Sequence, residues 1–316
     1  MTDATGKFVF VVNPRSANGA TIRRFERVRA RFASELGDID VRLTERPRHA
    51  GELAKDAIRA GAKAVISVGG DGTNNEVING FFDAATSTPT PGPDGNPGAT
   101  AFGVVTSGTG GDFRRTFAWT TEPLDDLARL KRFQTRRIDV GRVTFGDGTA
   151  RAFVNIASFG MSGEVVDVVN NSSKALGAKL SFMLGSVRTM LGHKPQGVTV
   201  TVDDGETWSD KVTLVAIANG QYFGGGMWIA PEAKVDDAVF DTVAVAGGGL
   251  SFWLTHGLKL YSGKHIGLRQ VKVQRAKKVR AEPLNGERVL VEIDGEQPGI
   301  LPATFEIIPA AVSILV

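Results

Sequence analysis

The 316-residue chain contains no cysteine. That absence excludes a disulfide framework, a thiol nucleophile and cysteine-held metal, and it fits a reducing compartment. Its four histidines are scattered, with no H-E-x-x-H or other zinc spacing. Long apolar runs are also missing: the uncharged stretch Thr242 to Leu258 is rich in glycine and slightly too short to span a bilayer. Met1 to Lys7 carries neither the basic nor the apolar region of a secretion signal. The expected location is the cytoplasm, with peripheral contact at the inner face of the membrane left open. No zinc finger or RNP aromatic motif is present, so no nucleic-acid partner is expected. Two common nucleotide motifs are absent as well, G-x-x-x-x-G-K-[ST] and a βαβ-embedded G-x-G-x-x-G, which removes support for a Walker loop or a Rossmann dinucleotide site.

What is present is the composition of a soluble globular protein, 42% hydrophobic and 22% charged, long enough for two domains. A net charge of +3 allows contact with phosphates or an anionic membrane without demanding either. The chain is organised around Ala64-Val65-Ile66-Ser67-Val68-Gly69-Gly70-Asp71-Gly72-Thr73-Asn74-Asn75-Glu76. A β-branched run stops at three glycines and an aspartate, and apolar residues then return at helical spacing in Val77, Ile78, Phe81 and Phe82. Glycines there let several N–H groups turn toward one anion, and the following helix adds its free N–H groups and positive dipole end. A carboxylate inside such a cradle calls for a cation or a reacting hydroxyl beside it, so Asp71 points to metal-assisted phosphoryl chemistry. The plain alternative is a βα turn with an acidic cap.

Around that stretch the first half alternates strand and helix. Lys7 to Val12 reads as a buried strand ending in the turn cluster Asn13-Pro14-Arg15-Ser16-Ala17-Asn18-Gly19, before a helix with Ile22, Phe25, Val28 and Phe32 on one face. The arginines of that helix, Arg23, Arg24, Arg27, Arg29 and Arg31, read as a solvated face. A second strand ends at Thr44, a helix follows from about His49 to Ala60, and crossover helices between strands imply a parallel sheet. Thr86 to Gly98 reads as a mobile loop. The strand Ala101 to Val105 then delivers a second glycine-rich loop, Thr106-Ser107-Gly108-Thr109-Gly110-Gly111-Asp112, in which Asp112 either caps the next helix or meets a ligand.

From about Ile138 onward valine-rich strands separated by turns replace this alternation and predict a β-rich second domain. Lys174 to Leu191 interrupts them with an amphipathic helical pattern. Packing against the sheet is the first reading of that pattern, and of Phe252, Trp253, Leu254, Leu258, Leu260 and Tyr261, with contact to a membrane or acyl chain second. Lys264 to Arg280 contains seven basic and no acidic residues; a solvated strand edge is the first reading there.

GGDGT and the second glycine loop, followed by Val154 to Gly163, by Asn219-Gly220-Gln221-Tyr222-Phe223-Gly224-Gly225-Gly226-Met227, by Ala230 to Asp237 and by Val291-Glu292-Ile293-Asp294-Gly295-Glu296, resemble the diacylglycerol kinase catalytic-domain family of lipid kinases. The resemblance implies an NAD-kinase-like α/β nucleotide domain over residues 1–139 and a β-sandwich-like domain over 140–304. A C-terminal segment, about 305–316, would return to the first domain. It implies ATP bound across Asn13, Pro14, Arg15, Ser16, Ala17, Thr44, Gly70, Asp71, Gly72, Thr73, Asn74, Asn75, Glu76, Ser107, Gly108 and Thr109, at a cleft between the domains. Asp294 takes the position of the general base with Glu296 beside it, and Asp71 assists Mg²⁺. A structural magnesium site would use Asp237 with carbonyls of Lys234 and Val239. The implied substrate is a lipid alcohol reached by transient membrane contact; a homodimer is left open. Departures from the family pattern are Asn74 after GGDGT, Gly111 for an asparagine, and Ala238 where a glycine normally follows the aspartate. The competing readings are a kinase for a soluble acceptor such as NAD and a nucleotide-binding regulator without catalysis.

Overall fold

Phe8–Val12, five apolar residues in a row, is buried along its whole length, as a strand covered on both faces must be. This strand, β1, lies between β2 (Ile39–Leu43) and β3 (Ala64–Gly69), parallel to both, with Phe8 opposite Ile39 on one side and Ala64 on the other. β4 (Ala101–Thr106) adds to the far side of β3, again parallel, with Ala64 opposite Ala101. In the computed structural model, which describes residues 6–83, 85–107, 111–171 and 192–316, these strands belong to the first of two compact units. That unit comprises Met1–Val140 together with Ile308–Val316, and the second comprises Gly141–Ile307.

In the first unit, alternation along the strands sends Phe8, Phe10, Val12, Ala64, Ile66 and Val68 to one face. There they meet Phe25 and Phe32 of α1 (Ala20–Leu36) and, from a later helix, Leu127 and Leu130. The rings of Phe10, Phe25 and Phe32 sit 5.3 to 6.2 Å apart, within the range of favourable aromatic pairing. The opposite face carries α2 (His49–Arg59) and α3 (Asp71–Phe81), whose backbones touch through glycines. A Cβ on Gly80 would come within 2.5 Å of the Gly51 carbonyl oxygen, and one on Gly51 within 2.8 Å of the Glu76 carbonyl oxygen. The segment expected to be a mobile loop instead holds a small ribbon, Phe82–Asp83 against Thr88–Pro89, with Pro91 bridged to Pro97. After β4 come α4 (Asp112–Thr116) and α5 (Pro123–Arg132). The final residues of the chain lie parallel along β4, with Ile314 opposite Phe102, and Arg129 of α5 donates to the Leu315 carbonyl at 3.0 Å.

The second unit is built on antiparallel pairs, as the valine-rich half predicts. Glu206–Ala218 is central, pairing with Gln196–Val202, Ile156–Gly160 and Phe240–Ala246. Leu290–Ile293 pairs with Ile156–Gly160, and Lys278–Pro283 with Gln196–Val202. Among the described residues, Val271–Ala276, inside the basic stretch, pairs only with Phe240–Ala246 and lies at the edge of the sheet. One apolar layer gathers Phe153, Phe159, Phe240 and Phe305 with Val200, Ile217 and Ile293. A second gathers Leu214, Ala216, Val243 and Val245 beneath Phe252 and Leu260 of the helix Gly249–Tyr261. A further helix, Met161–Asn171, follows Ile156–Gly160. The amphipathic stretch Lys174 to Leu191 lies outside the described residues.

Candidate functional site

The turn from β3 into α3 is shaped by a contact that only glycine permits. A Cβ on Gly69 would fall 2.3 Å from Thr73 Oγ1, so its absence lets the threonine side chain fold back over the loop. Thr73 and Asn74 donate their N–H groups to the Gly70 carbonyl at 3.0 and 3.1 Å, closing the first turn and leaving the Asp71 and Gly72 N–H groups at the positive end of the helix. Asn13 Nδ2 donates to Thr73 Oγ1 at 3.3 Å, while Asn13 Oδ1 accepts the Arg15 N–H at 3.0 Å. Ala17 and Asn18 turn the chain with φ of 50° and 52°. Thr44 N donates to the Val12 carbonyl at 2.9 Å, and Ser107 N to that of Gly69 at 3.4 Å. The carboxyl edge of the parallel sheet thus brings together Asn13–Ala17, Thr44, Gly70–Asn75 and Ser107, the place where open α/β sheets take ligands. Gly108 and Thr109 lie outside the described residues.

Two acidic residues of this region are occupied by the fold. Glu76 Oε2 accepts the Ala50 N–H at 3.0 Å, near the start of α2. Asp71 Oδ2 accepts the Asp112 N–H at 3.0 Å and Oδ1 the Phe113 N–H at 3.2 Å, so its carboxylate caps α4 from across the sheet. Burial pushes the Asp71 carboxyl up from its ordinary value, outweighing the N–H groups of Asp112, Phe113 and Gly111 that favour the charge. Asp112 lies in the first turn of α4, 3.5 Å from Arg115.

Buried oxygens without a hydrogen-bond partner among the described residues cluster at the same edge: Ser67 Oγ, Asn74 Oδ1, Thr106 Oγ1 and Ser107 Oγ. In a folded protein such atoms are normally satisfied, so their concentration here suits a polar ligand. A cavity of about 340 Å³ opens beside Thr106 and Ser107, and Arg24 and Arg27 of α1 line it. These two arginines are exposed, as a solvated face requires, and they also border the cavity because the start of α1 lies beside the second loop, where the Thr21 hydroxyl donates to the Ser107 carbonyl at 3.2 Å. Helical periodicity separates apolar from polar positions but does not show what the polar ones overlook.

In the second unit, Asp294 sits just past the strand Leu290–Ile293, with φ of 48°, and is 4% exposed. Its Oδ2 accepts the Val154 N–H at 2.8 Å and its Oδ1 the N–H groups of Asn155 and Ile156 at 3.0 and 3.1 Å. Three converging donors fix the carboxylate in one orientation. Glu292, to which sequence reasoning gave no role, is buried beneath this corner and accepts the Gly295 N–H at 2.6 Å and the Ser158 hydroxyl. The spacing of two residues from Asp294 was the available signal. Glu296 begins the next strand, Glu296–Ile300.

Lys234, Asp237 and Val239 lie in one turn before Phe240–Ala246. Asp237 Oδ2 is hydrogen-bonded to Arg275, whereas Asp237 Oδ1 and Asp241 Oδ2 are buried without a hydrogen-bond donor. Burial pushes the Asp241 carboxyl up, against the Arg275 charge and helped by the negative charges of Asp237 and Glu232. Arg275 already serves both carboxylates, hydrogen-bonded to Asp237 and 4.0 Å from Asp241 Oδ2, so a hard divalent cation would have to displace its guanidinium to use them. No group of three or more acidic or histidine side chains placed to hold a metal occurs among the described residues, so main-chain oxygens would have to complete such a site. Ala238 has φ of 62°, which accounts for glycine being the usual residue there.

Residues 7–143 match the model of the diacylglycerol kinase catalytic domain, and residues 155–316 that of the YegS C-terminal NAD kinase beta sandwich-like domain. A protein named diacylglycerol kinase from Mycobacterium tuberculosis is 25% identical over 311 residues, spanning 98% of this chain and 95% of its own length. Another of that name from Bacillus subtilis is 25% identical over 301 residues, 93% of this chain and 91% of its own. A crystal structure of a diacylglycerol kinase from Bacillus anthracis superimposes with a TM-score of 0.70 at 20% identity, covering 98% of this chain and 96% of that one.

Proposed function

From its membership of the diacylglycerol kinase catalytic-domain family, a family of kinases, we propose that the chain transfers the γ-phosphate of ATP to the hydroxyl of diacylglycerol or a related lipid. The observation that carries this reading is the cluster of backbone N–H groups and unpartnered hydroxyls at the carboxyl edge of the parallel sheet, on the loops that the family uses for its nucleotide. The turn Asn13–Ala17, Thr44 and the N–H groups that open α3 bind the phosphates, and Ser107 closes on them from the second loop. Asp71, with both oxygens engaged, acts as a positioning residue that keeps the two loops in register.

Asp294 is the general base in this reading. The lipid oxygen bonds to the γ-phosphorus, the bond from phosphorus to the β-phosphate oxygen breaks, ADP leaves, and the hydroxyl proton passes to the Asp294 carboxylate. A weak base suffices because the proton becomes acidic once the oxygen has bonded to phosphorus. Mg²⁺, when bound, supplies charge neutralisation on the phosphates. A structural Mg²⁺ would be held by Asp237 with the main-chain oxygens of Lys234 and Val239.

The test offers labelled ATP with diacylglycerol, sphingoid bases and NAD separately, and identifies the product. Phosphorylated lipid is the expected outcome. Phosphorylated NAD alone would move the assignment to the soluble-acceptor reading, and ATP binding without transfer to any acceptor, lipid extracts included, to the regulator reading. Asp294→Asn should lower turnover by roughly a hundredfold or more. Its amide would also face the three N–H donors, at a cost of about 1–3 kcal/mol, so thermal melting must accompany the kinetics.

A further inference from the structure

The helix Gly249–Tyr261 divides its apolar residues between two opposite faces. Phe252 and Leu260, 3% and 0% exposed, enter the core over the central strands. Leu254, Leu258 and Tyr261, spaced by four and three residues, form a stripe on the other side and are 76%, 87% and 53% exposed. Ile266, in the next turn, is 39% exposed. Its neighbour His265 is fully buried and donates from Nε2 to the Ile229 carbonyl at 2.9 Å, which fastens the turn beneath its exposed apolar residue. Contiguous, firmly held apolar exposure of this kind marks an interaction surface.

Charge says what the surface meets. No acidic residue occurs between Thr242 and Ala281. Of the basic residues in that stretch, Lys272, Arg275, Lys278 and Arg280 are paired with Glu206, Asp237, Glu306 and Glu282. Lys259, Lys264 and Arg269 flank the apolar stripe, are exposed, and have no carboxylate partner among the described residues. An apolar ridge rimmed by cations without a carboxylate partner among the described residues, on the outer face of a helix whose inner face is packed on the sheet, has the chemistry of an interfacial anchor, which inserts leucine and tyrosine at the acyl boundary while the cations meet anionic headgroups. A docking face for a second copy would bring these same cations together and repel.

We infer that Leu254, Leu258, Tyr261 and Ile266, with Lys259, Lys264 and Arg269, form the surface by which this protein docks on an anionic lipid bilayer. The inference deepens the proposed lipid kinase reading by naming the face that meets the membrane, and it rests on that reading for its purpose but not for its test.

The full-length chain is sedimented with phosphatidylcholine vesicles, with and without phosphatidylglycerol. The wild type should bind the anionic vesicles more tightly. Leu254→Asp/Leu258→Asp should weaken that binding by roughly tenfold or more, and Lys264→Glu/Arg269→Glu should do so by about fivefold or more per residue while abolishing the preference for phosphatidylglycerol. Because both leucines are exposed, melting temperatures should hold; Leu258→Gln is the milder check if the aspartates disturb the helix. Phosphate transfer to a short-chain, water-soluble diacylglycerol should be unchanged in all variants, whereas transfer to diacylglycerol in vesicles should fall with binding. Failure of the wild type to bind vesicles, or undiminished binding by the variants, overturns the docking surface. A wild-type dimer that becomes monomeric in Leu254→Asp/Leu258→Asp also overturns it, since a second copy then covers the face. Vesicle binding without phosphate transfer to any lipid would instead overturn the lipid kinase reading and leave the surface standing.

Discussion

The carboxylate of Asp71 faces the start of α4, 41 positions further along the chain. Asp71→Ala would strand the N–H groups of Asp112 and Phe113, and denaturant titration should show a loss of about 2–4 kcal/mol. Burial raises two carboxylates, yet their net shifts are opposite. Asp71 is held above its ordinary 3.8, so its contribution to stability is full at low pH and is lost as pH rises through the raised value. Glu306 shows the reverse: burial pushes it up, but hydrogen bonds from Arg142 and Lys278 win and hold it below its ordinary 4.5. Its contribution is present above that value and is lost as pH falls through the lowered one. Glu306→Gln should therefore reduce the melting temperature at neutral pH and flatten the acid limb of the stability profile, as a pH series of thermal melts would reveal. The GGDGT loop was legible from sequence because its strand, glycines and helix are contiguous. The inward orientation of Asp71 was not, because its partners arrive from another loop.

At the scale of elements, the α2–α3 contact makes a sharp prediction. Gly80→Ala would drive a methyl group into the Gly51 carbonyl and Ala54, both part of rigid helix, so unfolding titrations should show a loss of about 1–3 kcal/mol despite alanine's better helix propensity. Periodicity placed the first four strands and their helices within a few residues of where they lie. It could not sort the helix Gly249–Tyr261 into buried and exposed faces, since the layer beneath it comes from Leu214–Ala218 and Val243–Val245, remote in sequence. The same limit applies to Arg24 and Arg27, whose helix could be recognised although the cavity beside it could not.

At the scale of the molecule, the first unit is discontinuous: its sheet is completed by the last residues of the chain. Val312, Ile314 and Leu315 are almost fully buried there. Deleting Ile308–Val316 should cost about 5 kcal/mol or more in lost apolar burial, comparable with the whole stability of a small domain. Circular dichroism melts of the shortened chain should then show loss of the transition belonging to the first unit.

That closing strand imposes an order of events during synthesis. At about 5–20 residues per second, roughly 10 to 35 seconds separate emergence of residue 140 from that of the strand completing its sheet. Throughout that interval the edge of β4 on a nascent chain has open hydrogen-bonding positions that a neighbouring chain on the same message could fill. Slow translation or crowded polysomes should therefore favour aggregation through β4, a hazard that ends when Ile314 arrives opposite Phe102.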